Sequence, residues 1–253
     1  MKVMGILNVT PDSFADGGKH DTYEKAVARG LEMIAEGVDI IDIGGESTRP
    51  GADRVSAHEE QARVLPVIEK LSQTGIPISI DTMRAETAVL AIEAGASIVN
   101  DVSGGIADDL MHESVADMGC PYILMHWRGH SKDMNSRAVY GDVVAEVISE
   151  MQSQMDLALR AGISQNNLII DPGLGFAKDA EHNWEILRRI DEFTNLGFPV
   201  LIGGSRKRFL GGSTPDEREE ATVALTKSLL DKSIWAVRVH SVKPHKELVV
   251  SHG

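Results

Sequence analysis

Residues 4–18 read Met-Gly-Ile-Leu-Asn-Val-Thr-Pro-Asp-Ser-Phe-Ala-Asp-Gly-Gly. The run opens apolar at Val3, Met4, Ile6, Leu7 and Val9, the composition of a strand covered on both faces. Asn8 interrupts it near its end, and Pro11 and Gly17-Gly18 then turn the chain into a loop carrying Asp12 and Asp16. Helical periodicity is expected to resume at about Thr22. A buried strand that ends in a polar residue and opens into an acidic loop has the layout of an active-site rim. The rest of the chain repeats it.

Further apolar runs begin near Asp39, Pro77, Ser97, Pro121, Asn167, Pro199 and Ala236, and helical patterns separate them. Ala26, Val27, Gly30, Leu31, Ile34 and Ala35 form one apolar helix face; Val144, Ile148, Met151, Met155 and Ala158 form another. Gly37, Gly75, Gly95, Gly119, Gly162 and Gly197 stand just before strands, where a helix C-terminus calls for glycine. Pro66 lies within a helical stretch from Ala62 to Leu71, so a kink or a later helix start is expected there. The last helix is expected to be brief, about Pro244 to His252, and to close the fold loosely.

Eight alternating strand–helix units imply a parallel sheet, and eight strands close a (β/α)8 TIM barrel in about 250 residues. A doubly wound open sheet is the alternative, but no Gly-x-Gly-x-x-Gly follows the first strand and no Walker Gly-Lys-Ser/Thr occurs. No linker or charge block divides the 253 residues, so a single α/β domain is expected over 1–253.

The formal charge of −13 argues against nucleic acid or an anionic membrane as partner. No apolar run approaches the roughly 20 residues of a bilayer span, and Met1-Lys2 leads into a strand rather than a signal segment. The lone Cys120, before Pro121 at a strand start, reads as a buried thiol in a reducing cytoplasm.

In a TIM barrel the site is built at the C-terminal ends of the strands. Those ends read Asn8; Glu46-Ser47-Thr48-Arg49; Asp81; Asn100-Asp101; His126; Asp171; Ser205-Arg206-Lys207; and Arg238 with His240. Capping and turn chemistry account for Asp101, Thr82 and Ser103, and a solvated loop accounts for Arg208. Asp81, Asn100 and Asp171 are different, because they close apolar strands where an unpaired polar group is costly. The position of Arg206 and Lys207 directly after a strand favours a role for both. Two buried carboxylates, an amide and a lysine suit a flat heterocycle rich in N–H donors and ring acceptors, with Phe176 or Met125 covering a face. Asn8, Thr48, Arg238 and His240 suit a phosphate or diphosphate with a hard cation such as Mg²⁺, for which Asn8 offers a neutral oxygen.

Leu-Asn-Val-Thr-Pro-Asp-Ser-Phe, Gly-Gly-Glu-Ser-Thr-Arg-Pro-Gly, Ile-Asp-Thr, Ile-Val-Asn-Asp, Asp-Pro-Gly-Leu-Gly-Phe-Ala-Lys, Ser-Arg-Lys and Arg-Val-His occur in this order along essentially the whole chain. The set resembles the dihydropteroate synthase family of TIM barrels. The resemblance implies that Asp81, Asn100, Asp171 and Lys207 hold a pterin edge in a slot shaped by Met125, Phe176 and Gly203. It implies Mg²⁺ on Asn8, diphosphate on Thr48, Arg238 and His240, and p-aminobenzoate bordered by Phe14, Arg49, Pro50 and Ser205. Asp16 would act in the closed first loop, and Asp16, Lys207 and Arg238 are the expected catalytic residues.

The implied reaction joins p-aminobenzoate to 6-hydroxymethyl-7,8-dihydropterin diphosphate and releases diphosphate and 7,8-dihydropteroate. The family also implies a homodimer. With Arg238 given to the diphosphate alone, Arg238→Ala is expected to spare binding of the pterin alcohol. Loops 10–18 and 47–54 are expected to be mobile without ligand and to order when both substrates bind.

Ser241 stands where the family usually has Asp. The connection Gly211 to Asp216 is short, and Lys232-Ser233-Ile234-Trp235 replaces a small-residue approach to the last strand. A pterin-binding methyltransferase barrel would share Asp81, Asn100 and Asp171 but does not need the first two motifs. A non-catalytic pterin-binding paralogue would not need Asn8, Asp16, Arg49, Lys207, Arg238 and His240 together.

Overall fold

The computed structural model describes residues 1–10, 19–46, 55–129 and 134–252. Strands β1 (Lys2–Asn8), β2 (Ile40–Gly44), β3 (Ile78–Asp81), β4 (Ile98–Asp101), β5 (Tyr122–Met125), β6 (Leu168–Asp171), β7 (Leu201–Ile202) and β8 (Ala236–Val239) are all parallel. They run in the order β6-β5-β4-β3-β2-β1-β8-β7. Between β6 and β7 the ring is joined by a single bridge, Ile170 to Val200, with Ile170 N–H donating to Pro199 O at 2.9 Å. The fold is the expected TIM barrel.

The strands are clothed by α1 (Lys19–Ala35), α2 (Ala57–Ser72), α3 (Ala85–Glu93), α4 (Met111–Met118), α5 (Val143–Arg160), α6 (Ala180–Arg188), α7 (Ile190–Thr194), α8 (Glu217–Ser228) and α9 (Val242–His252). Side chains alternate along each strand, so the barrel makes two cores. Met4, Ile40, Ile98, Ile123, Ile169, Leu201 and Ala236 fill its interior near the strand starts. Val3, Ile41, Ile43, Ile78, Ile80, Val99, Leu124, Ile170 and Val237 face the helices instead. With the lower interior plugged by hydrocarbon, only the C-terminal mouth is left for polar groups.

All six glycines expected to end helices have positive φ. Gly119, at φ 63° and ψ 21°, returns its N–H to Val115 O and Ala116 O in the left-handed turn that a Cβ would strain. Three expectations at helix ends need correction. Helix α1 starts at Lys19 rather than Thr22. Helix α2 starts at Ala57, where the Ser56 hydroxyl accepts from Glu59 N–H, and runs through Pro66, so of the two outcomes expected at Pro66 the later start does not occur. Pro66 and Ala62 are both exposed, so the carbonyl that Pro66 leaves without a donor faces water. Helix α9 begins at Val242, and its Val242 and His245 are fully buried, so the last helix seals β1 closely rather than loosely.

Cys120 is half-buried rather than buried, and burial raises its thiol above the ordinary value, away from reactivity. Among the described residues, no helix is long and apolar enough to cross a membrane.

Candidate active site

The register sets the site. Asn8 pairs with Gly44, Gly44 with Asp81 and Asp81 with Asn100; across β5, where Asn100 pairs with Ile123, Met125 lies two residues further along and pairs with Asp171, so five strands deliver these side chains to the mouth. Glycine at 44 makes room for Asp81, whose Cβ lies 3.4 Å from where a Cβ on Gly44 would stand. Gly203 does the same for Asp171, with Oδ2 3.4 Å from its missing Cβ. Asp81, Asn100, Met125 and Asp171 are all buried, and Asn8 is half-buried.

Arg238 rises from β8 into this ring. Its Nε donates to Asp42 Oδ2 at 2.6 Å and its Nη2 to Asp81 Oδ2 at 2.5 Å. Burial works against the Arg238 charge, but Asp42 and Asp81 outweigh it and hold the guanidinium above its ordinary value. Burial pushes the Asp81 carboxyl up, and Arg238 opposes the shift. Asp171 is also raised by burial, against Lys207 and a 2.8 Å bond from Gly173 N–H.

Lys207 closes the ring from the seventh loop. Its Nζ donates to Leu174 O and stands 4.5 Å from the Phe176 ring centroid. Burial lowers its ammonium to about 8, with Asp171 pulling the other way. Ser205 Oγ lies 2.9 Å from His240 Nδ1 and accepts His240 N–H at 3.2 Å, so its hydroxyl serves the histidine. Arg206, for which a role in the site was expected, turns outward at φ 58° and binds Glu219 and Ser241, the latter at 2.9 Å. Ser241 thereby keeps a hydrogen bond in this pair. Arg208 is exposed, as expected.

Other strand-end groups are structural. Asp101 accepts from Ser103, Gly105 and Tyr122. Glu46 and Glu60 share Arg84, whose Nη2 also donates to Val55 O at 2.6 Å. Phe14, Asp16, Thr48, Arg49 and Pro50, and with them the expectation of ordering loops, lie outside the described residues.

Two side chains in the site were not read from the sequence. Asp42 is fully buried in the middle of β2. Lys178 is buried behind the sixth loop, donating to His126 Nδ1 at 2.8 Å and to Gly173 O and Phe176 O at 3.1 Å each. Ala177, the residue before it, takes φ 47°, and its carbonyl accepts from Tyr140. Lys178 thus holds a strained loop in the shape that places Phe176. Burial lowers Lys178 to about 7, against Asp171.

Burial and then Lys178 lower His126 to about 4, despite its Nε2 lying 3.0 Å from Glu150 Oε2. With Nδ1 accepting from Lys178, neutral His126 carries its proton on Nε2, toward Glu150. An unfolded histidine takes a proton below about pH 6.5 that folded His126 refuses until about pH 4, so stability falls as pH drops through that window. In urea titrations His126→Asn should lose less stability than the parent between those limits, by about 1–3 kcal/mol. Parallel pH profiles would remove His126 as the cause.

Comparison with known proteins identifies the family. The family described as pterin binding enzyme matches residues 4–240. The chain is 47% identical over 253 residues to the dihydropteroate synthase of Mycobacterium leprae (strain TN), covering 96% of this chain and 89% of that one. The dihydropteroate synthase of Xanthomonas albilineans with 4-aminobenzoic acid superposes with a TM-score of 0.93 at 43% identity, covering 99% of this chain and 91% of that chain. The same enzyme with 7,8-dihydropteroate gives 0.89 at 40% identity over 99% and 91%. Barrel, buried donor set and near-complete alignment converge: the chain belongs to the pterin-binding enzymes and, within them, to the dihydropteroate synthase family.

Proposed function

We propose that the protein condenses 6-hydroxymethyl-7,8-dihydropterin diphosphate with p-aminobenzoate, giving 7,8-dihydropteroate and diphosphate. The observation that carries this reading is the convergence of Asp81, Asn100, Asp171 and Lys207 on one buried mouth with Arg238 and His240 beside them. The related X. albilineans enzyme is described with 4-aminobenzoic acid and with 7,8-dihydropteroate.

The carboxylates of Asp81 and Asp171 accept from the N–H edge of the pterin, Asn100 contributes an acceptor and a donor, and Lys207 donates to the ring. Met125 and Phe176 cover its faces. Arg238 and His240 stabilise the anion as the methylene C–O bond breaks. The arylamine nitrogen forms the new C–N bond as the C–O bond breaks and gives its proton to the departing diphosphate. Exclusion of water protects the electrophilic methylene. Asp16, Thr48, Arg49, Pro50 and Phe14 belong to this reading through the resemblance, and Ser205 acts in it through His240.

Mg²⁺ fits the residues present. Among the described residues no group of three or more His, Cys, Asp or Glu could hold a metal. The half-buried Asn8 at the end of β1 offers a neutral carboxamide oxygen, which suits a hard cation that would bring water and phosphate oxygens as its other ligands. Held by Asn8, Mg²⁺ would supply charge neutralisation for the diphosphate. The reading also includes a homodimer in a reducing cytoplasm, taken from the resemblance and from the lone Cys120.

The test is a two-substrate assay with Mg²⁺ that follows dihydropteroate and diphosphate together. Equimolar release of the two is expected. Pterin binding in calorimetry without product would leave a non-catalytic pterin-binding protein. In the same calorimetry, Asp171→Asn should weaken the pterin alcohol and the diphosphate alike by about tenfold, since an amide donor would then oppose the pterin N–H edge. Unchanged binding would take Asp171 out of the slot.

A further inference from the structure

We propose that Asp42 is a positioning residue for this reaction, setting Asn100 and Arg238 against each other through one carboxylate oxygen. The inference rests on the reading of the site given above. Asp42 Oδ2 accepts from Arg238 Nε at 2.6 Å and from Asn100 Nδ2 at 3.1 Å. The side chain is fully buried, and it stands one layer below the residues that meet the ligand.

A carboxylate only accepts, so Asn100 must turn an N–H toward Asp42. That choice fixes which way the Asn100 amide faces. Its carbonyl oxygen is turned away from Asp42, and with the second N–H it forms the acceptor–donor edge that a pterin ring can read. Without Asp42 the amide is free to flip, and a flipped amide would oppose donor to donor.

The same oxygen orients Arg238. With Nε on Asp42 and Nη2 on Asp81, the guanidinium fork is pinned by two strands, β2 and β3, and its remaining N–H groups are available at the far end. Asp42 thereby ties the residue assigned to the ring to the residue assigned to the leaving anion. Its other oxygen, Oδ1, is buried with no hydrogen-bond partner among the described residues, and so is the hydroxyl of Ser79, its neighbour across the ladder. Every hydrogen bond of the Asp42 side chain among the described residues is thus to Asn100 or Arg238, two residues of the site.

The experiment compares the parent with Asp42→Ala, because asparagine would keep an acceptor oxygen in the place of Oδ2. Calorimetry with the pterin alcohol reads the Asn100 arm, and steady-state kinetics with the pterin diphosphate and p-aminobenzoate read the Arg238 arm. Asp42→Ala should weaken the alcohol about tenfold and lower kcat by about tenfold or more, the size of a lost hydrogen bond to a charged group in each arm. In an Arg238→Gln background, Asp42→Ala should lower kcat by less than about twofold further, because the group it orients is gone.

A lower melting temperature with alcohol affinity and kcat within about twofold of the parent would overturn the proposal, as would full additivity in the double mutant. If Asp42→Ala does not fold, Asp42→Ser, which leaves room for water, takes both readings. Failure of both variants to fold would mark the carboxylate as purely structural and also overturn the proposal. If the parent binds the alcohol but makes no dihydropteroate, the synthase reading fails by itself, and the alcohol measurement still decides the Asn100 arm.

Discussion

Arg238→Ala should lower kcat by about 10²–10³ and also weaken the pterin alcohol, a ligand with no diphosphate. The sequence alone led to the opposite expectation for the alcohol, since Arg238 was given to the leaving anion. The structure changes this because the guanidinium also bridges Asp42 and Asp81. Its removal leaves two buried carboxylates facing each other, one of them a pterin ligand in our reading. Breaking such a pair by deleting one member costs about 3–5 kcal/mol, and loss of the anion-stabilising arm should cost about 10²–10³ in kcat.

Burial already raises Asp81, and Arg238 opposes that rise, so its deletion raises Asp81 further above the unfolded value of 3.8. The folded variant then binds a proton that the unfolded chain does not, and its deficit against the parent should shrink as pH falls toward about 4. Urea unfolding at several pH values, with calorimetry of the alcohol, checks both claims. Undiminished alcohol affinity would show that the bridge to Asp81 does not matter for the slot.

Lys178→Met should lose about 2–4 kcal/mol of stability and weaken the pterin at least about tenfold, although Lys178 is not assigned to the ligand. Methionine fills nearly the same volume, so packing is not the cause. The loss comes from three buried acceptors, His126 Nδ1, Gly173 O and Phe176 O, left without a donor. Relief of the ammonium's own desolvation, which already lowers it to about 7, offsets part of that cost. Gly173 and Phe176 bound the slot, and Ala177 between Phe176 and Lys178 sits at φ 47°, so the loop should relax when its tether goes. A variant that melts earlier yet binds pterin normally would confine Lys178 to stability.

Much of this site could be read from the sequence because a parallel barrel puts its chemistry where strands stop. Asp81, Asn100 and Asp171 each close an apolar run, and all three lie at the mouth. Asp42 obeys the same rule of a costly polar group among apolar neighbours, Ile40-Ile41-Asp42-Ile43-Gly44. It gives no signal at a strand end because it sits inside β2, below the rim, where alternation turns it inward between Ile40 and Gly44.

Lys178 gave no such signal. Its histidine partner lies 52 positions away, and a lysine after a glycine-rich loop reads as solvated until the packing is known. Arg206 misled in the other direction: it follows a strand as Lys207 does, but its left-handed backbone turns it to Glu219 and Ser241. Its pairing depends on helix α8, and no local pattern encodes that.

The barrel is sealed by its first and last strands, with Lys2 beside Ala236 and Gly5 beside Val239. On a ribosome, β1 emerges early and must wait for more than 200 residues before its second neighbour exists. Until then it is an unpaired edge whose apolar residues invite association with other chains. Asn8 stands on β1 and Arg238 on β8, so the half of the mouth that we propose to bind the anion cannot form in any shorter nascent intermediate. Diphosphate, and any cation travelling with it, should therefore bind only the closed barrel. Such a ligand would act late in folding, holding together the seam that is made last.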